Sequence, residues 1–251
     1  MAEIRLTHVG GPTLLVEAAG LRILTDPTFD PPGRRYSFGW GTSSRKLVGP
    51  ALAATDLGRI DAVLLTHDHH ADNLDDAGRA LLDGVPTVLT TEPGARRLGG
   101  AARGLEPWAT TRLGAVTVTA TPCRHGPPLS RPVAGAVIGF ALDLGGRTLW
   151  ISGDTVLYRG IHEVARRIRV DVAVVHLGCV RFPLTGPLHY SLTADEAVAT
   201  CRLVRPDVVV PVHYEGWSHF REGRAEAERA FAAAGLTETV RWPVPGEPLV
   251  V

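Results

Sequence analysis

Three histidines and three carboxylates lie within nine residues, directly after the apolar run 62–65. The cluster consists of His67, Asp68, His69, His70, Asp72 and Asp75. Neutral imidazole nitrogens and carboxylate oxygens are ligands that zinc and other divalent metals accept in proteins. Because an unbroken apolar run of this length is typical of a buried strand, the sequence predicts a metal site where that strand ends.

Three further groups occupy matching positions along the chain. His125 follows a predicted strand at 116–120, Asp154 follows one at 147–151, and His213 ends one at 207–212. A fourth further group, His189, lies in a Pro-Leu-His-Tyr-Ser segment. Each histidine taken alone is typical of a core or surface residue, but several chemically suited groups at strand ends favour a shared metal site.

Composition restricts the class of protein. Lys+Arg and Asp+Glu both number 26, so the net charge is zero and no basic patch predicts a nucleic-acid partner. The three cysteines are widely spaced and predict free thiols in a reducing compartment. No apolar stretch approaches the ~20 residues that span a bilayer, and the first residues lack the features of a secretory leader. We therefore expect a cytoplasmic protein without a membrane span.

The elements that must position these groups are mostly short strands. Alternating segments at 4–9, 13–17 and 21–25 predict antiparallel hairpins, and Gly145-Gly146 predicts another between strands 133–144 and 147–151. A further strand is predicted at 87–90. Unbroken apolar runs that stop at His67, His176 and His213 predict strands buried on both faces.

Helical patterns at 74–82, 160–168, 193–204 and 221–234 can cover those faces. Residues 27–50, rich in Pro, Gly and aromatic residues, are predicted to form a lid or binding loop, with a surface insertion as the alternative. No linker interrupts the pattern, so we predict a single α/β (α+β) domain over residues 1–251.

The order of these groups resembles the metallo-β-lactamase superfamily over nearly the whole chain. The resemblance implies a four-layer αββα sandwich with metal ligands on loops along one edge of two sheets. It implies that His67, His69 and His125 hold one metal, that Asp154 bridges, and that Asp72 and His213 hold a second metal. The Thr-Asp-Pro at 25–27, the Ser-Gly-Asp-Thr at 152–155 and the His189 segment most resemble the lactonase-like branch with ascorbate-6-phosphate lactonase and N-acylphosphatidylethanolamine phospholipase D.

The chain departs from the family motif at the second metal. The Asp-His pair of the family motif would fall on Ala71 and Asp72 of this chain. If one extra residue is allowed, Asp72 matches the Asp of the motif, but Asn73 then stands at the position of the His. Asn is a weak ligand, so either metal binds more weakly there or His70 substitutes. A second departure is Gly11, where the related branch often carries a His. We expect one or two Zn²⁺ ions, with Mn²⁺ or Fe as alternatives.

The resemblance implies a metal-dependent hydrolase that uses a metal-bound hydroxide on a small-molecule ester, lactone or phosphodiester. Asp72 is expected to accept or relay a proton, and His189 is expected to lie near the substrate as a catalytic residue that stabilises an oxyanion or donates a proton. One alternative is a degenerate member that binds metal or ligand without turnover, because Asn73 replaces a ligand. A metallo-nuclease is a second alternative, against which the neutral charge argues.

Other histidines are expected in supporting roles. His176 is predicted to support the ligands or the core, and Asp26 to orient a ligand histidine or to end a turn. His8, His162 and His219 are expected to be structural or exposed. The oligomeric state is not encoded in any pattern that we recognise.

Overall fold

The short apolar runs and helical segments fold into alternating strands and helices in the computed structural model, which describes residues 3–251 and, of Val133, the backbone alone. The strands are β1 (Arg5–Gly10), β2 (Thr13–Ala18), β3 (Leu21–Thr25), β4 (Arg35–Gly39), β5 (Thr42–Arg45), β6 (Ala62–Leu64), β7 (Val88–Thr91), β8 (Ala102–Leu105), β9 (Thr110–Leu113), β10 (Val116–Pro122), β11 (Ile138–Asp143), β12 (Thr148–Ile151), β13 (Val172–His176), β14 (Val208–Val212) and β15 (Pro248–Val250). The helices are α1 (Asp76–Leu81), α2 (Glu92–Leu98), α3 (Arg131–Ala134), α4 (Arg159–Arg167), α5 (Ala194–Val204) and α6 (Arg224–Ala233). The chain start at Met1 and Ala2, on which our expectation of no leader depends, lies outside the described residues.

Two large sheets and one small hairpin contain these strands. The first sheet has the order β15-β1-β2-β3-β6-β7-β8, the second has the order β14-β13-β12-β11-β10-β9, and β4 pairs with β5. In the first sheet β3, β6, β7 and β8 are parallel; in the second β12, β13 and β14 are parallel. Because β10 and β12 are both antiparallel to β11, β10 ends at the same edge as β12, β13 and β14.

The main core lies between the two sheets and draws buried side chains from both. In β13, Val172 and Val174 point into this core, whereas Ala173 and Val175 pack in a second cluster with residues of α4, α5 and α6. A third cluster packs residues of α1 and its flanks against the outer face of the first sheet. Successive strand residues point to opposite faces, so the unbroken apolar runs reflect helices on one side and the other sheet on the other. The predicted four-layer αββα arrangement is confirmed.

Several predicted boundaries differ from the structure. The strand predicted from residue 133 starts at Ile138, because Pro132 opens α3 and Gly135, with φ +74°, ends it. The predicted loop 27–50 contains the β4–β5 hairpin. Strands β8, β9 and β15 and helix α2 were not predicted, since each is short and mostly exposed. Within residues 3–251, no helix is both long enough and apolar enough to cross a bilayer.

Candidate metal centre

The predicted strand ends bring imidazoles and carboxylates to one edge of the two sheets. His67 follows β6 of the first sheet, whereas His125, Asp154 and His213 follow β10, β12 and β14 of the second. All four side chains are buried. Because β10, β12 and β14 run in the same direction, their carboxyl ends bring these groups together, as the sequence predicted.

Three imidazole nitrogens converge in the first group. The Nδ1 atom of His70 lies 3.3 Å from Nε2 of His67 and 3.2 Å from Nε2 of His125. With zinc–nitrogen bonds of 2.0–2.1 Å, tetrahedral ligand nitrogens are about 3.3 Å apart. The group therefore has the spacing of three ligands around one ion.

His69, which the resemblance implied as a ligand, occupies a different position from His70. Its Nε2 atom forms a hydrogen bond with the carbonyl oxygen of Ala134, and its Nδ1 atom lies 3.7 Å from Oδ1 of Asp68. The ring also fills the space beside Gly135, where a Cβ atom would lie only 2.1 Å from it. The structure therefore favours His70 over His69 as the third imidazole, although a nitrogen of His69 lies within 4.8 Å of one on each of His67 and His70.

A second group contains a histidine that sequence reasoning did not assign. Nε2 of His213 lies 3.5 Å from Oδ2 of Asp72, and Nε2 of His219 lies 3.2 Å from the same oxygen. The His219 ring is 2% exposed and stacks on Trp217 at a centroid distance of 6.0 Å. We expected His219 to be structural or exposed. The structure buries it beside Asp72 and His213, and one ligand atom from each of these three residues lies within 4.8 Å of the other two.

The position of His219 depends on contacts that are distant in sequence. The backbone nitrogen of Arg181 donates to the carbonyl oxygen of His219 at 3.1 Å. Two sequence features could have indicated a ligand role for His219. Asn73 stands where the family motif has a histidine, and His219 is a second histidine shortly after His213. His219 places an imidazole beside Asp72 and His213 from another part of the chain.

Asp154 lies between the two groups. Its Oδ1 atom is 3.3 Å from Nδ1 of His213, and a carboxylate oxygen lies within 4.8 Å of nitrogens of His67 and His125. Both carboxylate oxygens are buried without a hydrogen-bond partner among the described residues. Burial, together with the nearby charge of Asp72, raises the pKa of Asp154 well above its usual value. A buried carboxylate without partners is costly, and a cation between the groups would offset that cost.

The imidazoles of His67, His70, His125 and His213 are held in the neutral form that binds metals. Burial lowers the pKa of His67 and of His70 well below the usual value, and it lowers those of His125 and His213 to about 4. Burial alone would raise the pKa of Asp72, but the neighbouring histidines lower it well below its usual value. Neutral imidazoles beside an ionised carboxylate match the donor set of a zinc site.

Polar residues beneath the first group fix the orientation of His67. Oδ1 of Asp26 accepts hydrogen bonds from the Thr66 backbone nitrogen at 2.7 Å and from its hydroxyl at 2.9 Å. The Thr66 oxygen then accepts from Nδ1 of His67 at 3.0 Å, which leaves the electron pair of Nε2 free. Asn73 donates to the same Thr66 oxygen at 3.4 Å, and His176 lies 3.7 Å from Oδ2 of Asp26. These residues support the site, and Asp26 acts on His67 through Thr66.

His189, predicted to lie near the substrate, does not join either group. Its Nε2 atom lies 3.0 Å from Oε2 of Glu196, and the side chain is 28% exposed. Glu196 also forms the capping box of α5 with Thr193, whose hydroxyl accepts from the Glu196 backbone nitrogen at 3.1 Å. The structure thus gives His189 a partner at the N-terminus of α5, outside both groups.

The β4–β5 hairpin covers the candidate ligands. The ring centroid of Phe38 lies 5.2 Å from that of His70 and 5.4 Å from that of His219. The predicted lid segment therefore contacts both groups through one aromatic side chain. Its tip carries Trp40, which has a φ of +52° between two glycines and is 76% exposed.

A buried ion pair anchors the base of this hairpin. Nζ of Lys46 donates to Oδ2 of Asp75 at 2.8 Å, and both side chains are buried. The Asp75 carboxylate also accepts from the backbone nitrogens of Phe29, Asp30 and Gly78 at 2.7–2.9 Å. Asp75 thus joins the lid segment to the start of α1.

Two cavities border the candidate ligands. The smaller, of about 230 Å³, is bordered by candidate ligands and by aromatic rings: His70, Asp72, His125, Phe38, Phe182 and Tyr190. The larger, of about 590 Å³, meets the candidate ligands at His125 and carries Arg96, Arg124 and Arg131 in its wall. The smaller cavity borders both groups, so it is the better candidate for a substrate site.

Comparison with known proteins places this arrangement in a family. A model described as a beta-lactamase superfamily domain matches residues 21–214. A UPF0173 metal-dependent hydrolase of Carboxydothermus hydrogenoformans is 26% identical over 254 residues, covering 99% of this chain and 100% of the relative. One from Thermoplasma acidophilum is 27% identical over 182 residues, covering 71% of this chain and 75% of the relative. An isothiocyanate hydrolase from Delia radicum gut bacteria has a similar fold, with a TM-score of 0.82, 24% identity and 98% of each chain covered.

Proposed function

This chain belongs to the beta-lactamase superfamily, and we propose that it is a metal-dependent hydrolase of a small molecule in which the two groups described above each hold one metal ion. The superfamily resemblance and the fold implied by it are confirmed. Zinc is the metal we propose, because the donor set is dominated by imidazole. Both sheets contribute ligands, which supports the single domain predicted for the chain.

One observation carries the proposal: two sets of buried imidazoles and carboxylates converge, and most of the nitrogens and oxygens of the second set and of Asp154 lack a hydrogen-bond partner among the described residues. The first set is His67, His70 and His125; the second is Asp72, His213 and His219. Asp154 lies between them. Among the described residues, both nitrogens of His213 and of His219 and both oxygens of Asp154 are buried without a hydrogen bond. Buried polar atoms are nearly always paired, so this many unpaired donors and acceptors at one edge favours metal binding.

The residues around the two groups suggest how hydrolysis proceeds. A divalent metal would supply a water of lowered pKa and polarise the bond under attack. Asp72 borders the smaller cavity, and its buried Oδ1 atom has no partner, so it is placed to accept the proton of the attacking water. Phe38 and Phe182 restrict access of bulk water to this position.

Tyr190 is the proposed hydrogen-bond donor to the reacting group, in place of His189. Tyr190 borders the cavity, and its ring packs against Phe182; its hydroxyl makes no hydrogen bond to the described residues. The other two hydroxyls bordering the cavity are engaged, because Thr42 donates to the Gly39 carbonyl at 2.7 Å and Thr185 donates to the Phe182 carbonyl at 3.0 Å. A phenol is a suitable donor to a developing oxyanion.

Two alternatives from the sequence are less well supported. A degenerate member without turnover was suggested by Asn73, but the position of His219 beside Asp72 and His213 supports a ligand role in place of the missing imidazole. A nuclease requires cationic side chains to hold phosphates, and no Lys or Arg borders the smaller cavity among the residues that the structure describes. An ester or a lactone is therefore the substrate type that we propose.

The test is metal content together with hydrolysis. The protein is purified without a histidine tag or chelator, and its zinc, manganese and iron are measured by elemental analysis. We expect about two equivalents of metal per chain and hydrolysis of activated esters that is lost on treatment with a chelator and restored by zinc. Protein that binds no metal after reconstitution would overturn the proposal, whereas two equivalents without turnover of any ester or lactone would favour the degenerate member.

A further inference from the structure

The walls of the smaller cavity indicate which substrates the site accepts. We infer that the substrate is an uncharged small molecule that carries a short apolar or aromatic arm beside the bond to be cleaved, and that Trp40 helps to select it. This inference rests on the proposed function, because it assigns the candidate ligands as the reacting end of the cavity.

The charge of the cavity supports an uncharged arm. Its only ionised side chain, among the described residues that border it, is Asp72, which belongs to the candidate ligands. The bound metals would supply positive charge at the floor, but the walls that must contact the rest of the substrate offer no cation. A carboxylate or phosphate on that part of the substrate would lose its hydration without gaining a partner.

The shape and chemistry of the walls support a short apolar arm. Phe38, Phe182 and Tyr190 form an aromatic cluster, in which Phe182 lies 5.7 Å from Phe38 and 6.0 Å from Tyr190 between ring centroids. The volume of about 230 Å³ is below the ~300–1,000 Å³ of sites for drug-sized ligands. A branched or extended substrate would not fit between the hairpin and the segment that carries Phe182.

Two apolar side chains at the mouth of the cavity are exposed where burial would be favourable. Trp40 is 76% exposed and Leu184 is 71% exposed, and both border the cavity. They lie on facing segments, since Cδ1 of Leu184 is 3.2 Å from where a Cβ atom of Gly41 would be. An apolar substrate arm at the mouth would bury part of both side chains, which is a favourable contact of the kind that selects ligands.

The wall of the larger cavity carries cationic side chains, in contrast to the wall of the smaller cavity. Arg96, Arg124 and Arg131 border the larger cavity, and it is the place where an anionic substrate would find partners. Of the candidate ligands, only His125 borders it. The two cavities therefore predict opposite charge preferences for a substrate that reaches the metal.

The test uses two esters whose acyl arms have the same number of carbons, one uncharged and one ending in a carboxylate, and the fast uncatalysed hydrolysis of the second, in which its own carboxylate attacks the ester, is subtracted from its measured rate. 4-Nitrophenyl butyrate and 4-nitrophenyl hemisuccinate have the same leaving group and a four-carbon acyl arm, and the second ends in a carboxylate. For the zinc-reconstituted protein we expect kcat/KM to be at least tenfold higher for the butyrate. Trp40→Lys should lower that ratio at least fivefold, whereas Leu129→Lys, a change at a 95%-exposed side chain bordering the larger cavity, should leave it unchanged.

Equal rates for the two esters, or a preference for the hemisuccinate, would overturn the inference while leaving the hydrolase proposal intact. If neither ester is cleaved, binding of their amide counterparts, N-phenylbutanamide and N-phenylsuccinamic acid, is measured by titration calorimetry on the same protein. Tighter binding of the uncharged amide that depends on Trp40 would support the inference even though hydrolysis of these esters failed. Equal or reversed affinities would contradict it.

Discussion

Replacing His70 or His69 with alanine tests which of two adjacent histidines binds metal. Only His70 has a nitrogen at ligand spacing from both His67 and His125. Structural zinc sites with four ligands bind with about 10–16 kcal/mol, or about 2.5–4 kcal/mol per ligand. We therefore expect His70→Ala to weaken binding of the ion in the first group by about 100- to 1,000-fold, at ~1.4 kcal/mol for each factor of ten.

His69→Ala is the matched control, because it removes an imidazole one position away. This change breaks a hydrogen bond to the Ala134 carbonyl, which costs about 1 kcal/mol of unfolding free energy but removes no ligand at this spacing. Zinc affinity is measured by competition with a chromophoric chelator, and unfolding free energy by urea titration. A large loss of zinc affinity in His69→Ala, with wild-type affinity in His70→Ala, would refute the geometric argument and restore the family pattern.

Three other substitutions test the second group, the Lys46–Asp75 ion pair and the proposed hydrogen-bond donor Tyr190. His219→Ala should reduce the metal content from about two equivalents to about one, and His189→Ala should leave it at two; equal metal content in both variants would contradict the role of His219. Lys46→Met leaves the buried Asp75 carboxylate without its cation, so we expect the unfolding free energy from urea titration to fall by about 3–5 kcal/mol, and a fall under ~0.5 kcal/mol would show that the pair is unimportant. Tyr190→Phe should lower kcat about 100-fold with unchanged metal content and KM, as for loss of an oxyanion donor, and an unchanged kcat would exclude the phenol from the reaction.

The layers of the fold could be predicted because they follow from side-chain periodicity. Runs such as 172–175 are apolar at every position, and this pattern requires cover on both faces. The same logic located His67 and His213, because each follows such a strand, whereas His125 follows the alternating strand β10 and Asp154 follows the short strand β12. Strand ends are fixed by the sheet, so residue order was enough to bring these groups together.

The choice between His69 and His70 could not be made in this way. Residues 66–75 form an irregular turn after β6, where no period of two or 3.6 fixes the direction of a side chain. His69 is directed away by the carbonyl of Ala134, in a segment more than sixty residues later. The family pattern supplied the ligand type, but the contacts of one turn set which histidine lies at ligand spacing from both His67 and His125.

His219 was missed for a related reason. Its loop is held by Ser218, whose backbone nitrogen donates to the Arg45 carbonyl at 3.0 Å, and by the bond from Arg181. These partners belong to the lid segment and to the segment after β13, so the position of His219 is set only when distant parts of the chain have assembled. The sequence around His219 does not by itself predict these contacts between distant segments.

The ligands of the proposed metal centre come from both sheets and extend along the chain from His67 to His219. During synthesis, the second group is incomplete until the segment after β14 has emerged and the two sheets have docked. A metal held there would close a very long chain loop, which is where a crosslink most restricts the unfolded state. Metal occupancy would therefore report on completed folding, and a chain truncated before His213 would lack the means to retain its second ion.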